Sequence, residues 1–479
     1  MTSFETGNRE EAIRTKLEFR ECFFGDAAFY RRVAMVVVPM IVQNTLSNIV
    51  GLLDNIMVGR LGTLQISSVA VVNQILFVFY LCIWGSLAGA GIFSTQFFGK
   101  GDMDGVRYSI RFKLLTAITI FTVAIIILWN HGDMLIADYI AKDTSDADRA
   151  ATLGFAVSYL RIMVIGLVPF SLTQVYASAM RESGRTTLPM IASMTAMMVN
   201  FVFNILLIFG YLGFPRLEIR GAAIATVISR FTELSIVVIG AHRKGSAYGF
   251  FKGLYRGFKI PVTLIWPILS RTLPLFLNEF LWSLAQARLL QAYSLRGLSV
   301  VAAMNISGTI AQIFNEVFLS IGNSAGIIVG QELGANRLVS ARRSAWRMAA
   351  LSFMSTLVMG SLLAVAAPII PRVYNTTPDI RALATRCIWV LACCMPIHSY
   401  ANVSYFTLRS GGKTLITFLF DSCFAWVVSI PVSYVLSRYT ALPALNIYMI
   451  VNGIEFIKCI VGFCLVRSGI WVRNIVKST

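Results

Sequence analysis

The chain has 479 residues, of which 57% are hydrophobic and 13% are charged, and its formal net charge is +18. This composition excludes a soluble globular domain and is typical of a polytopic membrane protein. The lysines and arginines lie in short loops between apolar runs, which indicates positive-inside bias and argues against a nucleic-acid-binding protein. The eight cysteines and three histidines show no metal-type spacing, so we predict neither a disulfide framework nor a histidine-based site.

Residues 1–32 are polar, so we interpret them as a cytoplasmic N-terminal arm without a cleavable signal peptide. About twelve apolar stretches that are long enough to cross a bilayer follow this arm. We predict a helix for each, because continuous apolar runs lack the alternation of a transmembrane β-barrel. The predicted spans are 33–59, 66–98, 113–130, 152–180, 188–211, 219–242, 263–293, 299–330, 345–370, 384–408, 413–437 and 443–466.

One carboxyl group lies inside the first predicted span. Asp54 is the only ionisable residue between Arg32 and Arg60, and its polar neighbours in the sequence are amides. A carboxyl group at membrane depth is costly, so its presence predicts an ion or proton site. The alternative is a helix-end residue at the outer interface, if the span stops near Leu53. Pro39 can bend the same helix and free a backbone carbonyl.

The basic residues of the loops set the predicted orientation. With the N-terminus inside, the inner loops hold about 26 lysines and arginines and the outer loops about 10. We therefore expect both termini to be cytoplasmic and the protein to lie in the cell membrane.

The two halves of the chain repeat several residues at a constant separation. Five residues recur 235 positions later, in the pairs Pro39 and Pro274, Gly62 and Gly297, Gln96 and Gln331, Gly99 and Gly334, and Arg107 and Arg342. Six helices per half is an even number, so the copies share one orientation, as in a parallel repeat about the membrane normal. We predict an N-terminal lobe, an inter-lobe cytoplasmic loop, a C-terminal lobe and a cytoplasmic tail, at 33–243, 244–262, 263–466 and 467–479.

Charged residues also interrupt later spans. Glu279 is an acid within the seventh predicted span, as Asp54 is within the first. It either joins a cation or substrate site or is a buried residue paired with an amide or an arginine. Asp421 either contacts substrate or is a helix residue near the cytoplasmic side. Glu455 and Lys458 are three residues apart on one helix face, so we interpret them as a structural ion pair.

An ordered series of motifs resembles the multidrug and toxic compound extrusion (MATE) transporters. The motifs run through about 33–470 and are "DNIMVGRLG", "SSVAVVNQI", "TQFFGKGD", "AMRESGRT", "VNFVFNILLIFG", "RGAAIATVIS", "VAAMNIS", "GQELGA" and "LRSGGKT". The resemblance implies an all-α polytopic membrane protein, with twelve transmembrane helices in two pseudo-symmetric six-helix bundles arranged in a V. It also implies export of cationic or amphipathic organic molecules in exchange for Na⁺ or H⁺.

The resemblance further implies a cation site in the N-terminal lobe. It places the family's first-helix acid at Asp54, two fifth-helix polar groups at Asn200 and Asn204, and two sixth-helix oxygens at the Ala222 carbonyl and the Thr226 hydroxyl. Such oxygen ligands suit a small hard cation. Some members carry aspartate where this chain has Asn204, which leaves the coupling ion open between Na⁺ and H⁺. Beyond that ion we expect no metal and no cofactor.

The expected partners are small organic cations, Na⁺ or H⁺ and membrane lipids, with no nucleic acid and a monomeric chain. Two other functions stay open. A flippase for a lipid or a lipid-linked precursor, in the same superfamily, would need a large cationic cavity, yet the spans show no excess of central arginines. A membrane-embedded enzyme would need acid or histidine clusters near an interface, and the sequence shows none.

Overall fold

The computed structural model describes residues 19–140, 145–243, 245, 247–374 and 376–476. The predicted arm, inter-lobe loop and tail each fall partly outside these ranges, at 1–18, 244, 246 and 477–479. The described ranges are largely helical and contain no strand, which confirms the all-α fold.

Fourteen helices run through the described residues, and the thirteenth contains two π-helical turns, Leu419–Cys423 and Ala425–Ser429. In chain order, α1 to α14 are Phe19–Phe23, Ala27–Gly59, Thr63–Lys100, Met103–Tyr139, Asp146–Ile165, Leu167–Glu182, Thr187–Phe209, Glu218–His242, Val262–Ser294, Leu298–Gly334, Leu338–Ala366, Pro378–Ser410, Thr414–Tyr439 and Ala444–Arg467. The repeated glycines Gly62 and Gly297 precede α3 and α10 with φ of 143° and 113°. Residues with a side chain rarely adopt this backbone conformation, which explains why both positions are glycine.

Every predicted span coincides with a helix or a bent pair of helices. By length and composition, ten helices in the described ranges suit a membrane crossing, or eleven if α5 and α6 form one bent span. The helix at the seventh predicted span, α9, falls outside that set and carries Arg271, Glu279 and Arg288. The layout is consistent with twelve transmembrane helices.

The fourth predicted span, 152–180, is two helices rather than one. α5 and α6 meet at Gly166 with a bend of 44°. Pro169 lacks the N–H group that would bond the carbonyl of Ile165, so the helical ladder is interrupted here. Arg230 of α8 donates to the Gly166 carbonyl at 3.2 Å, so this carbonyl at the break has a hydrogen-bond partner.

The chain divides into two compact units. The first comprises the described residues of Met1–Val37, Thr95–Asp102 and Pro267–Thr479, and the second comprises Val38–Ser94 and Met103–Trp266. The lobe boundaries drawn from the sequence stay a prediction.

In the second unit, α8 is the central helix. It packs against α5, α6 and, most extensively, α7. A Cβ added at Gly221 would lie 2.5 Å from the carbonyl oxygen of Leu207, so glycine permits the close approach of α7 and α8. This contact brings the polar positions of the two helices together.

In the first unit, α12 packs against α10, α11 and α14. The residues that follow α14 belong to the core of this unit. Trp471 and Val472 are fully buried and pack with Leu333 and Leu408. The described part of the predicted tail is therefore packed rather than extended into solvent.

The repeated glycines Gly99 and Gly334 also lie in the first unit, where the ends of α3 and α10 cross. A Cβ added at Gly99 would lie 1.9 Å from the Gln331 carbonyl oxygen, and one at Gly334 would lie 1.9 Å from the Gln96 carbonyl oxygen. The contact is reciprocal, so the sequence repeat corresponds to a symmetric backbone crossing.

Candidate functional site

The five residues assigned to the N-terminal cation site lie in one hydrogen-bonded chain. Asn204 Nδ2 donates to Asp54 Oδ1 at 2.7 Å and to Asn200 Oδ1 at 3.1 Å. Asn200 Nδ2 donates to Thr226 Oγ1 at 3.3 Å, and that hydroxyl donates to the Ala222 carbonyl at 2.9 Å. Asp54 lies within helix α2, five residues before its end at Gly59, and not in a loop.

Asn204, Asn200 and Thr226, which follow Asp54 in this series of hydrogen bonds, are all neutral. Asn200 and Asn204 are 5% and 1% exposed, whereas Asp54 is half-buried, so the acid stands at the open side of the group. The Oδ1 atom of Asn204 is buried and has no hydrogen-bond partner within the described ranges. Leaving a buried acceptor unpaired costs about 1–3 kcal/mol, which a cation or a donor at this oxygen would remove.

The Asn200 amide oxygen and nitrogen can be exchanged, and the bonds to Asn204 and Thr226 given above belong to the orientation with the amide oxygen towards Asp54. With the amide nitrogen towards the acid, it lies 3.0 Å from Oδ1 and 3.2 Å from Oδ2 and donates to both. With the amide oxygen there, three oxygens face one another, which requires a proton or a cation among them. One side chain can therefore serve both the charged, empty acid and the neutralised acid.

An aromatic group with one arginine lies beside the bend between α5 and α6. The Arg230 guanidinium carbon is 5.3 Å from the Tyr80 ring centre and 5.2 Å from the Phe170 ring centre, and the arginine also donates to the Tyr80 hydroxyl. Sequence spacing favours pairing of Arg230 with Glu233, and the two charges do interact. The hydrogen bonds of the arginine go to Gly166 at the bend and to Tyr80.

Sequence reasoning missed a buried ion pair between α4 and α6. Lys113 is fully buried, and its Nζ lies 2.5 and 2.6 Å from the two carboxylate oxygens of Glu182 and 3.2 Å from the Ser178 hydroxyl. A Cβ added at Gly91 would lie 2.6 Å from Glu182 Oε1, so the glycine leaves room for the pair. The signal in the sequence was a lone lysine at the start of the third apolar run.

In the first unit, Lys458 bridges two acids. Its Nζ is 3.0 Å from Glu455 Oε2 and 3.2 Å from Asp421 Oδ1. The spacing-based pair of Glu455 and Lys458 therefore has a third member, and the group carries a formal net charge of −1. Because Lys458 already neutralises part of the charge, Asp421 is a weaker candidate than Asp54 for holding an external cation.

Asn278, which sequence reasoning did not single out, fixes Asp421 from α9. Its Nδ2 donates to Asp421 Oδ2 at 3.2 Å, and its Oδ1 accepts from the Ser422 backbone N–H at 3.3 Å and the Ser422 hydroxyl at 2.8 Å. Asp421 and Ser422 lie in the π-helical turn Leu419–Cys423. Such turns are frequent at functional sites.

Glu279, one residue beyond Asn278, belongs to the same unit. The charged groups that act on it are Arg409, of opposite sign, and Asp421, of like sign. The part of Glu279 in binding a cation or a substrate stays a prediction.

The donor chemistry at Asp54 limits the ion that could bind. Within the described ranges no three histidine, cysteine or acidic side chains converge in a metal-binding group. Around Asp54 the oxygen donors are one carboxylate and several neutral groups, which suit a hard ion rather than a soft metal.

Comparison with known proteins gives matches over most of the chain. The MatE family model matches residues 39–206 and 274–435. The probable multidrug resistance protein YoeA of Bacillus subtilis is 24% identical over 422 residues, which cover 88% of this chain and 89% of that protein. A probable multidrug resistance protein NorM of Thermotoga maritima is 22% identical over 451 residues, covering 91% and 92%.

Solved structures show the same fold. A multidrug resistance MATE family transporter of the MOP superfamily, in an outward-facing conformation, matches with a TM-score of 0.82 at 17% identity and covers 95% of this chain and 98% of that one. A MOP superfamily transporter from Pyrococcus furiosus matches with a TM-score of 0.81 at 17% identity over the same shares. The motifs, the helical layout and the family match over both halves agree, and the chain belongs to the multidrug and toxic compound extrusion (MATE) family.

Proposed function

We propose that the chain is a secondary active antiporter that exports cationic or amphipathic organic compounds in exchange for Na⁺ or H⁺ by alternating access. It acts as a monomer in the cell membrane with both termini in the cytoplasm. The observation that carries the proposal is the Asp54 carboxylate, whose hydrogen-bond partner Asn204 is neutral and continues into Asn200 and Thr226.

Neutral partners leave the charge of Asp54 uncompensated. A carboxylate away from bulk water is stable only when a proton or a cation neutralises it. Na⁺ would take Asp54 together with the amide oxygens of Asn200 and Asn204, whereas a proton would sit on Asp54 and bond to the Asn200 oxygen. Either ion would neutralise the negative charge of Asp54.

Exchange follows from competition for this one negative charge. An organic cation and the coupling ion each stabilise Asp54, so binding of one lowers the affinity for the other. Ion entry from outside releases the substrate, and substrate loading from inside displaces the ion. A gradient of one pH unit contributes about 1.4 kcal/mol per proton, and measured couplings between sites are of similar size.

Asn204 limits the stoichiometry. Where some family members have a second acid, this chain has an amide that donates to Asp54 at 2.7 Å. A proton therefore has one carrier in the N-terminal site, and we expect one coupling charge there per cycle. A flippase for an anionic lipid precursor is less well supported, because this site attracts positive charge.

Transport by purified protein in proteoliposomes tests the function. We expect an outward flux of ethidium, a fluorescent organic cation, when an inward Na⁺ or H⁺ gradient is imposed without ATP. A selective ionophore that dissipates the effective gradient should return the flux to the rate of protein-free vesicles. Ethidium flux that ignores both gradients, or that needs ATP, would overturn the antiport proposal.

A further inference from the structure

The loop before α9 folds around a buried arginine of α4. Arg111 is 6% exposed, and its guanidinium donates to four backbone carbonyls of this loop. These belong to Gly253 at 3.2 Å, Leu254 at 2.8 Å, Arg256 at 2.9 Å and Lys259 at 2.9 Å. Because Arg111 fixes the backbone, the side chains of the loop are held in defined positions rather than spread through solvent.

The loop and the first turns of α4 line an open cavity of about 470 Å³. Its charged lining is five basic side chains and one acid, namely Arg107, Arg111, Lys252, Arg256, Lys259 and Asp104. Asp104 is engaged, since its Oδ1 lies 2.5 Å from Arg107. Lys252, Arg256 and Lys259 are exposed, and no carboxylate of the described ranges lies within ion-pair distance of them.

Five positive charges around one cavity, with a single acid among them, create a strong field for an anion. Orientation of a membrane protein requires only that basic residues lie in a cytoplasmic loop. Orientation does not require that the basic residues converge on a cavity. Nor does it require that Arg111 bond four backbone carbonyls and so fix the loop. The convergence therefore points to a ligand that bears a phosphate group, which accepts several bonds from lysine and arginine.

Exposed apolar residues that adjoin the cavity residues in the sequence indicate where that phosphate comes from. Tyr255 and Phe258 are 58% and 42% exposed, and Val262 and Trp266, four residues apart at the start of α9, are 81% and 72% exposed. Aromatic residues next to basic ones are typical of the lipid headgroup region. A lipid would place its phosphate in the cavity and its chains along Val262 and Trp266.

We propose that this cavity binds the phosphate of an acidic phospholipid headgroup from the adjoining leaflet. The site lies in the second unit and is separate from the Asp54 group in its residues and in the sign of its charge. It thus concerns the membrane that surrounds the transporter and not the exported compound. Basic pockets beside transmembrane helices are known to select acidic lipids.

Lipid retention by the purified full chain tests the proposal. Protein in nanodiscs with equal amounts of phosphatidylglycerol and phosphatidylcholine is delipidated gently, and the retained lipids are quantified by native mass spectrometry. The test variant is the double change Arg256→Gln and Lys259→Gln. The control, Arg60→Gln with Arg216→Gln, removes the same charge from exposed positions elsewhere in the unit. Thermal unfolding in phosphatidylcholine alone verifies that both variants fold.

We expect the wild type and the control to retain phosphatidylglycerol preferentially. Each basic residue near a headgroup contributes roughly fivefold in affinity, so the test variant should bind phosphatidylglycerol about 10- to 30-fold more weakly. Equal retention by all three proteins would overturn the site. A second experiment measures the unfolding temperature of the wild type in phosphatidylcholine with and without inorganic phosphate. If phosphate stabilises the wild type but not the test variant, and phosphatidylglycerol is not retained preferentially, the ligand is a soluble phosphate compound and the lipid assignment is overturned.

Discussion

Replacing Asp54 with asparagine should abolish gradient-driven export. The amide side chain would keep the shape and a hydrogen bond to Asn204 but would carry no charge, so neither a proton nor a cation would be held in exchange for substrate. Couplings between sites are typically 5- to 150-fold, so we expect at least a tenfold loss of ethidium flux in proteoliposomes. The unfolding temperature should stay near that of the wild type, because the substitution is isosteric.

Asp133→Asn is the matched control for this change. Asp133 is an exposed acid of α4 in the same unit, and its loss alters the net charge by the same amount. The control should transport at the wild-type rate. Full gradient-driven flux in the Asp54 variant would remove this acid from the mechanism.

Gly334→Ala should strongly destabilise the first unit. The added Cβ would lie 1.9 Å from the Gln96 carbonyl oxygen, which no rotamer can relieve because the obstacle is backbone. Forcing α3 and α10 apart should cost about 3 kcal/mol, at the upper end for overpacking. We expect a clearly lower unfolding temperature in detergent and a smaller folded yield. Gly99→Ala should behave alike, because the crossing is reciprocal.

Gly308→Ala in the same helix is the control. A Cβ added at Gly308 has no atom within 4 Å, so alanine should stabilise α10 by about 0.5–1 kcal/mol. The two alanine variants should therefore shift the unfolding temperature in opposite directions. A Gly334 variant as stable as the Gly308 variant would show that the crossing is not close-packed in the membrane.

The helices were predictable because hydropathy is a local property of the sequence. The Asp54 site was predictable for two reasons: a lone acid in an apolar run is conspicuous, and the motif resemblance supplied its partners. The structure brings Asp54, Asn200, Asn204 and Thr226 together. Their coupling role stays a proposal.

Long-range partners could not be read from the sequence. Lys458 pairs with Glu455 at helical spacing, but its second acid, Asp421, lies 37 residues away and is fixed by Asn278, a further 143 residues distant. The π-helical turn that contains Asp421 has no composition that marks it. Lys113 and Glu182 also lie on separate helices, 69 residues apart.

The bend at Gly166 had a signal that hydropathy conceals. Pro169 follows the glycine by three residues, a spacing that interrupts the helical ladder, yet the apolar run continues through it. The buried end of the chain had a weaker signal, because the short apolar group of Ile470, Trp471 and Val472 stands between basic and polar residues. Its burial depends on Leu333 and Leu408 from other helices.

Displacement of the coupling ion by substrate tests the exchange at Asp54 most directly. Calorimetric titration of ethidium into the purified protein counts the released protons from the change of binding enthalpy with the buffer's ionisation enthalpy. It counts the released sodium ions from the change of affinity with Na⁺ concentration. We expect the wild type to release about one proton or one sodium ion per ethidium bound, and the Asp54→Asn variant to release none. Equal release from both proteins would contradict the account.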